Sequence, residues 1–251
     1  MKEVIIDTEG NILLAAGETE MAMLPDTVED TSGEGVYIFE ICGVRARARF
    51  AAESDSLRGL TAETLRGSYG KLSASEYRVA VKGAELLKLD LTTNYCGHCG
   101  ARMHRGADGL SKSCPECGAE VFPQVSPCVI VLVTKGDKAL LVQGRNMRGG
   151  VHGLVAGFVE TGETLEECVH REVMEETSLK ITDLRYVGSQ PWPSPANLMC
   201  AFRAEYAGGE ICFADGELRG GGFFGRDELP ELPSGASIAR RLIEDWRSGK
   251  L

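Results

Sequence analysis

Two groups of residues have the types and spacing to do chemistry. The first is a set of carboxylates in GFVETGETLEECVHREVMEETSL, residues 157–179, which places seven glutamates within 23 positions. Glu172, Glu175 and Glu176 recur at i, i+3 and i+4, so on a helix turning by about 100° per residue their side chains share one arc. An acidic helix face is most often simply solvated. Here Leu165, Cys168 and Val169 mark the side that packs inward, and projection carries that side into Glu172 and Glu176, while Glu166 and Glu167 point away. Met174 breaks the pattern. Carboxylates that continue a buried stripe repel one another and lose hydration unless a cation offsets them. Clustered oxygen donors of this kind suit Mg²⁺ or Mn²⁺.

The second group is sulfur. Cys96-Gly-His-Cys99 and Cys114-Pro-Glu-Cys117 are two Cys-x-x-Cys knuckles, each followed by a glycine, Gly100 and Gly118. A knuckle presents two thiolates along one edge of a tetrahedron, and two knuckles close the shell around zinc, leaving no position for water. Such a site is structural. Disulfides and a redox pair are the alternatives; the first needs an oxidising compartment and the second a thioredoxin-like context. The other five of the nine cysteines, Cys42, Cys128, Cys168, Cys200 and Cys212, stand singly in apolar or strand-like surroundings and read as buried thiols.

The elements that must position these groups follow from periodicity. Thr164-Leu-Glu-Glu167 has the form of a capping box, which starts the glutamate helix near Thr164 and leaves Gly157–Glu163 as the loop before it. PCVIVLVTKGDKALLVQG reads as a hairpin, ITDLRYVGSQ as a strand, LMCAFRAEYAGGEICF as a second hairpin turning at Ala-Gly-Gly-Glu, and SIARRLIEDW as a helix. The first ninety or so residues alternate apolar and polar positions in strand-like bursts and carry no catalytic constellation. SEYRVAVKGAELLKLDL reads as a helix leading into the cysteines, with Gly83 its only breaker. Together these predict an α+β chain of 251 residues with boundaries at 1–93, 94–122 and 123–251, the cysteine segment lying between two β-rich domains.

A formal net charge of -10 disfavours generic adhesion to nucleic acid or anionic membranes, and any phosphate-bearing substrate needs local arginines or metal ions. The beginning of the chain lacks a signal-peptide pattern, no run approaches the length of a membrane span, and the final SGKL falls one residue short of a peroxisomal address. The expected location is cytoplasmic.

The glutamate stretch resembles the Nudix box, Gly-x5-Glu-x7-Arg-Glu-apolar-x-Glu-Glu-x-Gly-apolar, through Gly157, Glu163, Arg171, Glu172, Val173, Glu175, Glu176 and Leu179. Only Ser178 departs, where glycine is expected; at a left-handed helix end serine costs on the order of 1 kcal/mol. Ser189-Gln-Pro-Trp-Pro-Ser-Pro-Ala-Asn197 resembles the Ser-Gln-Pro-Trp-Pro-Phe-Pro-x-Ser signature of the NADH pyrophosphatase subfamily, with Ser194 and Asn197 as departures. The four cysteines and Ser-Ile-Ala-Arg-Arg-Leu fit the same subfamily, so the resemblance covers residues 94–251.

The resemblance implies a Nudix fold, a mixed β-sheet between helices, with a four-cysteine zinc ribbon, a degenerate Nudix-like domain at the N-terminus, and a homodimer. It implies hydrolysis of the pyrophosphate bond of NADH or NAD⁺ to AMP and nicotinamide mononucleotide, and in several members removal of NAD caps from RNA 5′ ends. One structural Zn²⁺ per subunit is expected on Cys96, Cys99, Cys114 and Cys117, and two or three catalytic Mg²⁺ or Mn²⁺ ions on the Ala156 carbonyl, Glu172, Glu176 and Glu217. Glu175 is a further ligand or the general base, and Arg171 with Glu163 an ion pair fixing the loop to the helix. Phe122 and Phe158 would sandwich the nicotinamide, and Gln190, Pro191, Trp192, Pro193, Ser194, Pro195, Ala196, Asn197 and Ala239 would line the substrate pocket. Core packing is the alternative for both phenylalanines, and an exposed acid the alternative for Glu217. Competing readings are a Nudix hydrolase for ADP-ribose or dinucleoside polyphosphates, a non-catalytic zinc-ribbon adaptor, and an RNA-binding module.

Overall fold

The computed structural model describes residues 1–17, 21–27, 35–145, 149–192, 196–213, 216–235 and 237–251. The chain divides into two compact units, Met1–Gln124 and Val125–Leu251. In the first unit β1 (Lys2–Ile6), β2 (Ile12–Ala16), β3 (Ala22–Met23), β4 (Val36–Ile41), β5 (Val44–Phe50) and β6 (Thr61–Glu63) form one sheet in the order β3-β2-β1-β5-β4, with β6 also on β2. The helix α1 (Ala74–Thr92) starts at Ser73, whose side chain accepts the Glu76 N–H. It buries Val79, Ala80, Leu86 and Leu87 in a core shared with Val4, Ala46 and Ala48. Gly83 is required by that packing, since a Cβ there would stand 2.9 Å from the Val4 side chain.

Side chains alternate along a strand, so Glu3, Arg47 and Arg49 take the opposite face from Val4 and Ala48. Arg49 grips Asp55 through two hydrogen bonds of 2.7 Å and donates to Glu3 at 2.9 Å. Arg58 donates to Glu3 at 2.7 Å, and Arg47 lies 3.2 Å from the same carboxylate. Paired guanidinium groups hold the buried Glu3 and Asp55 carboxyls below the usual carboxylate range despite the opposing effect of burial. This network replaces an apolar core on that face.

The cysteine segment belongs to the first unit. Its strands β7 (His104–Arg105), β8 (Lys112–Ser113) and β9 (Glu120–Val121) are two residues each, and its buried apolar residues are Cys96, Met103 and Cys114. The Arg105 guanidinium stacks 4.0 Å from the Tyr37 ring and Lys112 bonds Asp90 at 2.8 Å, so the segment is tied to β4 and α1.

In the second unit β10 (Ser126–Lys135), β11 (Lys138–Gly144), β12 (Val155–Phe158), β13 (Lys180–Trp192), β14 (Asn197–Gly208) and β15 (Leu218–Gly225) form a sheet in the order β13-β14-β10-β11-β15, with β12 on β10. Val129, Val131 and Val133 point to the face covered by α2 (Leu165–Thr177), and Ile130 and Leu132 to the face covered by α3 (Ile238–Arg247). The mixed sheet therefore lies between helices, as the α+β reading requires. The two units repeat one pairing scheme: β1 and β10 each have an antiparallel hairpin partner on one side and a parallel strand on the other. An isolated antiparallel bridge from Lys2 to Asp26 stands where β12 lines up with β10. Only residues 27–35 then precede β4, against residues 159–179 between β12 and β13, which contain α2.

Two sequence expectations fail. Gly-Glu-Ile-Cys-Phe, residues 209–213, does not return as a strand, because β14 already has β10 and β13 as neighbours. The segment passes over the end of α2 instead, where the Cys212 N–H donates to the Thr177 carbonyl at 3.1 Å and satisfies one of the helix's orphan acceptors. Cys42 and Cys212 are exposed, unlike Cys128, Cys168 and Cys200; Cys42 occupies the β4–β5 turn at φ 53°. Among the described residues no helix is long and apolar enough to cross a membrane.

Candidate functional site

The four cysteine sulfurs lie within 4.8 Å of one another. Each knuckle closes by the same two hydrogen bonds: Cys96 N–H to Ala101 O and Gly100 N–H to Cys96 O, then Cys114 N–H to Ala119 O and Gly118 N–H to Cys114 O, all between 2.8 and 3.0 Å. Gly100 and Gly118 supply the left-handed turn at φ 76° and 74°. Amides of Cys99 and His98 hold the Cys96 thiol down to about 6. On Cys117 the Ala119 amide acts in the same direction, but three neighbouring thiols push it up to about 12. Four sulfurs crowded together and competing for protons are a donor set that Zn²⁺ fits, since the metal replaces every proton at once.

The glutamate helix begins with a complete capping box: Thr164 Oγ1 accepts the Glu167 N–H and the Glu167 carboxylate accepts the Thr164 N–H. It ends at Ser178 in the left-handed conformation, φ 59° and ψ 18°, the geometry for which glycine is preferred. Cys168, Val169 and Val173 are fully buried, while Met174 is exposed. Glu176 continues the buried face at 6% exposure.

Arg171 organises the rest. Its guanidinium grips Glu163 through Nη2 at 2.6 Å and Nε at 3.0 Å, and reaches Glu172 at 2.8 Å, Glu175 at 3.0 Å and the Phe158 carbonyl at 2.9 Å. The loop is thereby clamped to the helix. Arg171 and the Glu160 amide hold the Glu163 carboxyl down to about 2. A depressed acid contributes stability above its unfolded value, near 4.5, and loses it as pH falls toward the folded value. The clamp should therefore persist to about pH 4.5 and dissolve between there and about pH 2. In acid unfolding, Glu163→Gln should flatten the stability curve across that window, and an unchanged curve would discount the clamp.

Glu172 titrates in the other direction: burial raises it, Arg171 lowers it, and Glu175 and Glu217 raise it again. Its carboxylate lies against Gly157, where a Cβ would stand 1.9 Å from Cδ, so glycine at 157 is a steric requirement. Ala156, Glu176 and Glu217 line one cavity of about 560 Å³, together with Arg145 and Leu154. Glu176 and Glu217 bring to this wall carboxylate oxygens, the donor type a hard divalent cation takes, whereas among the described residues only the four cysteines already stand together as a metal-ligand cluster. Burial and the nearby acid Glu172 push the Cys128 thiol up to about 12, and burial with Glu163 does the same for Cys168. Neither is a nucleophile.

The downstream stretch is divided. Gln190 accepts the Ile238 N–H at 2.7 Å and so holds the start of α3, next to the buried Ala239. Pro191 is exposed and Trp192 half-buried. Pro193, Ser194 and Pro195 lie outside the described residues. Ala196 takes the left-handed region at φ 37°. Asn197 is buried with no hydrogen-bond partner for Oδ1 among the described residues. Phe122 and Phe158 are about half exposed, at 49% and 48%, so neither is a core residue; Phe122 belongs to the first unit and Phe158 to the second. Sequence reasoning missed Arg145, because what brings it beside Glu217 is the β11–β15 ladder, joining positions far apart in the chain.

A family model for the NADH pyrophosphatase zinc ribbon domain matches residues 91–122, and one for the NUDIX domain matches residues 123–246. Over 169 residues the chain is 48% identical to the NAD-capped RNA hydrolase NudC of Pectobacterium carotovorum subsp. carotovorum (strain PC1), and 46% identical to the NAD-capped RNA hydrolase NudC of Yersinia pestis (strain Pestoides F). In both cases the match spans 67% of this chain and 65% of the relative, just under two thirds of those proteins. Among solved structures, a NUDIX hydrolase from Nitrosomonas europaea shares 26% identity at a TM-score of 0.50, over 61% of this chain and 87% of that one.

Proposed function

The chain belongs to the Nudix family, and from that premise we propose that it hydrolyses the pyrophosphate bond of NADH or NAD⁺, yielding AMP and nicotinamide mononucleotide, and the same bond in NAD-capped RNA, releasing nicotinamide mononucleotide and leaving a 5′-monophosphate on the RNA. The observation that carries the reading is the packing of α2: Glu176 is buried on the apolar side of the helix and lines a cavity with Ala156 and Glu217. A solvated acidic face does not bury its acids. Glu172, Glu176, Glu217 and the Ala156 carbonyl would hold two or three Mg²⁺ or Mn²⁺ ions. When bound, such ions neutralise the diphosphate and acidify the attacking water.

The protein's own groups do the positioning. Arg171 holds Glu163, Glu172 and Glu175 in one network, so the loop that begins at Gly157 keeps its place against the helix. Glu175, the exposed member of that network, would take the water's proton or serve as a further ligand. Water adds to one phosphorus, the bridging P–O bond breaks, and the departing phosphate carries the electron pair. The half-exposed Phe158 ring, in the same unit as the glutamates, would stack on the nicotinamide. A buried Asn197 Oδ1 without a partner among the described residues supports a ligand contact at that end of the Gln190–Asn197 stretch, since an unsatisfied buried acceptor is costly. Residues 1–93 would be a degenerate Nudix-like domain, a reading supported by the shared strand pairing. One Zn²⁺ on the four cysteines, a homodimer and a cytoplasmic location complete the proposal.

Chromatography of products decides it. With Mg²⁺ or Mn²⁺, NADH should give AMP and reduced nicotinamide mononucleotide. If AMP is absent with either metal, the reading is wrong, and faster turnover of ADP-ribose or a dinucleoside polyphosphate would move the substrate assignment to that compound.

A further inference from the structure

The cavity beside α2 contains one charged side chain that the proposed reaction leaves without a role. We propose that Arg145 binds a phosphate oxygen of the substrate and sets affinity for phosphate-linked ligands, rather than the rate of bond cleavage. The inference rests on the Nudix reading of this cavity and adds a contact that the box and the Gln190–Asn197 stretch do not contain.

Three observations support it. Arg145 directly follows β11, where the ladder to β15 shifts register between Gln143 and Gly144, and its N–H donates to the Glu217 carbonyl at 2.9 Å. Its main chain is thereby fixed at the wall that also carries Ala156, Glu176 and Glu217. The guanidinium lies across Gly216, with Nη2 and Cζ 3.3 and 3.6 Å from where a Cβ would stand. Gly216 is in the left-handed region at φ +81°, so the glycine both makes the turn and gives the guanidinium its seat. Finally, among the described residues the Arg145 side chain makes no hydrogen bond or ion pair, although two carboxylates line the same cavity.

A guanidinium presents donors in a planar fork that matches two phosphate oxygens. It sits in a protein of net charge -10, whose field opposes an approaching anion. Divalent ions held by the glutamates would answer that field in part, and Arg145, a fixed cation at the β11–β15 side of the cavity, would add to them. Arg171 cannot take this part, because Glu163, Glu172 and Glu175 already engage it.

The test uses the full chain with zinc and magnesium present. Steady-state NADH hydrolysis is measured beside calorimetric binding of adenosine 5′-(α,β-methylene)diphosphate, a diphosphate that cannot be cleaved at the bridge. Arg145→Ala should raise both KM and Kd by about tenfold, the loss of one charge-assisted contact, with kcat changed by less than about twofold. Arg145→Lys should recover part of the affinity, since it keeps the charge and loses the fork. Unchanged KM and Kd in Arg145→Ala, or a fall in kcat at unchanged Kd, overturns the proposal. Failure of the wild-type protein to cleave NADH would instead count against the proposed reaction, and the calorimetric comparison would still decide the role of Arg145.

Discussion

Glu176→Gln should lower hydrolysis by at least about 100-fold while leaving circular dichroism and zinc content unchanged. The substitution keeps the size of the side chain and removes its charge. Because Glu176 is buried on α2 beside Val173 and Thr177 and glutamine keeps its shape, the metal-free variant should fold as the parent does. The same loss of charge takes a donor from the set that would bind divalent ions. Glu166→Gln is the control, since Glu166 lies on the same helix and is exposed. If the two variants lose activity equally, or neither loses it, the buried acid has no special place in the reaction. Magnesium titration of each variant supplies an independent measurement, with binding weakened in Glu176→Gln alone.

The second large effect concerns sulfur. Removing zinc with a strong chelator, or making Cys114→Ser, should unfold residues 94–121. That segment has three two-residue strands and a buried apolar set of Cys96, Met103 and Cys114. So small a core cannot offset the chain entropy of ordering it. Structural zinc in comparable small domains contributes apparent binding energies of about 10–16 kcal/mol, far more than the segment's few ties to β4 and α1 through Arg105 and Lys112 can supply. Limited proteolysis read by mass spectrometry should place new cuts between Tyr95 and Val121. Tryptophan emission is a poor reporter, since Trp192 and Trp246 both lie in the second unit. A segment that resists protease after complete zinc release would show that the thiols alone hold it.

The helix of the site was legible because its signals are local. The capping box at Thr164 and the inward stripe of Leu165, Cys168 and Val169 continuing into Glu172 and Glu176 all lie within a few turns; the box forms, Cys168, Val169 and Glu176 are buried, and Leu165 and Glu172 are partly so. The knuckles were legible for the same reason. What escaped depends on pairing across distance. Residues 209–213 have the alternation of a strand, but the neighbours that decide whether they can pair, β10 and β13, are elsewhere in the chain. The burial of Glu3 and Arg47, which read as ordinary polar positions of alternating strands, follows from the parallel register of β1 with β5 and from the arrival of Asp55 and Arg58. Cys42 reads as apolar and is exposed, because the tight β4–β5 turn points it away from the sheet.

The repeated strand pairing has an arithmetical consequence. Two like sheets are present, yet the linker after Asp26 in the first is too short to hold a helix of 13 residues, the length of α2. Its sheet face is filled by arginine–carboxylate contacts instead. Stoichiometry should follow the helix and not the sheet: each polypeptide should saturate with the ion equivalents of a single catalytic centre, and no point substitution in the first unit should add another.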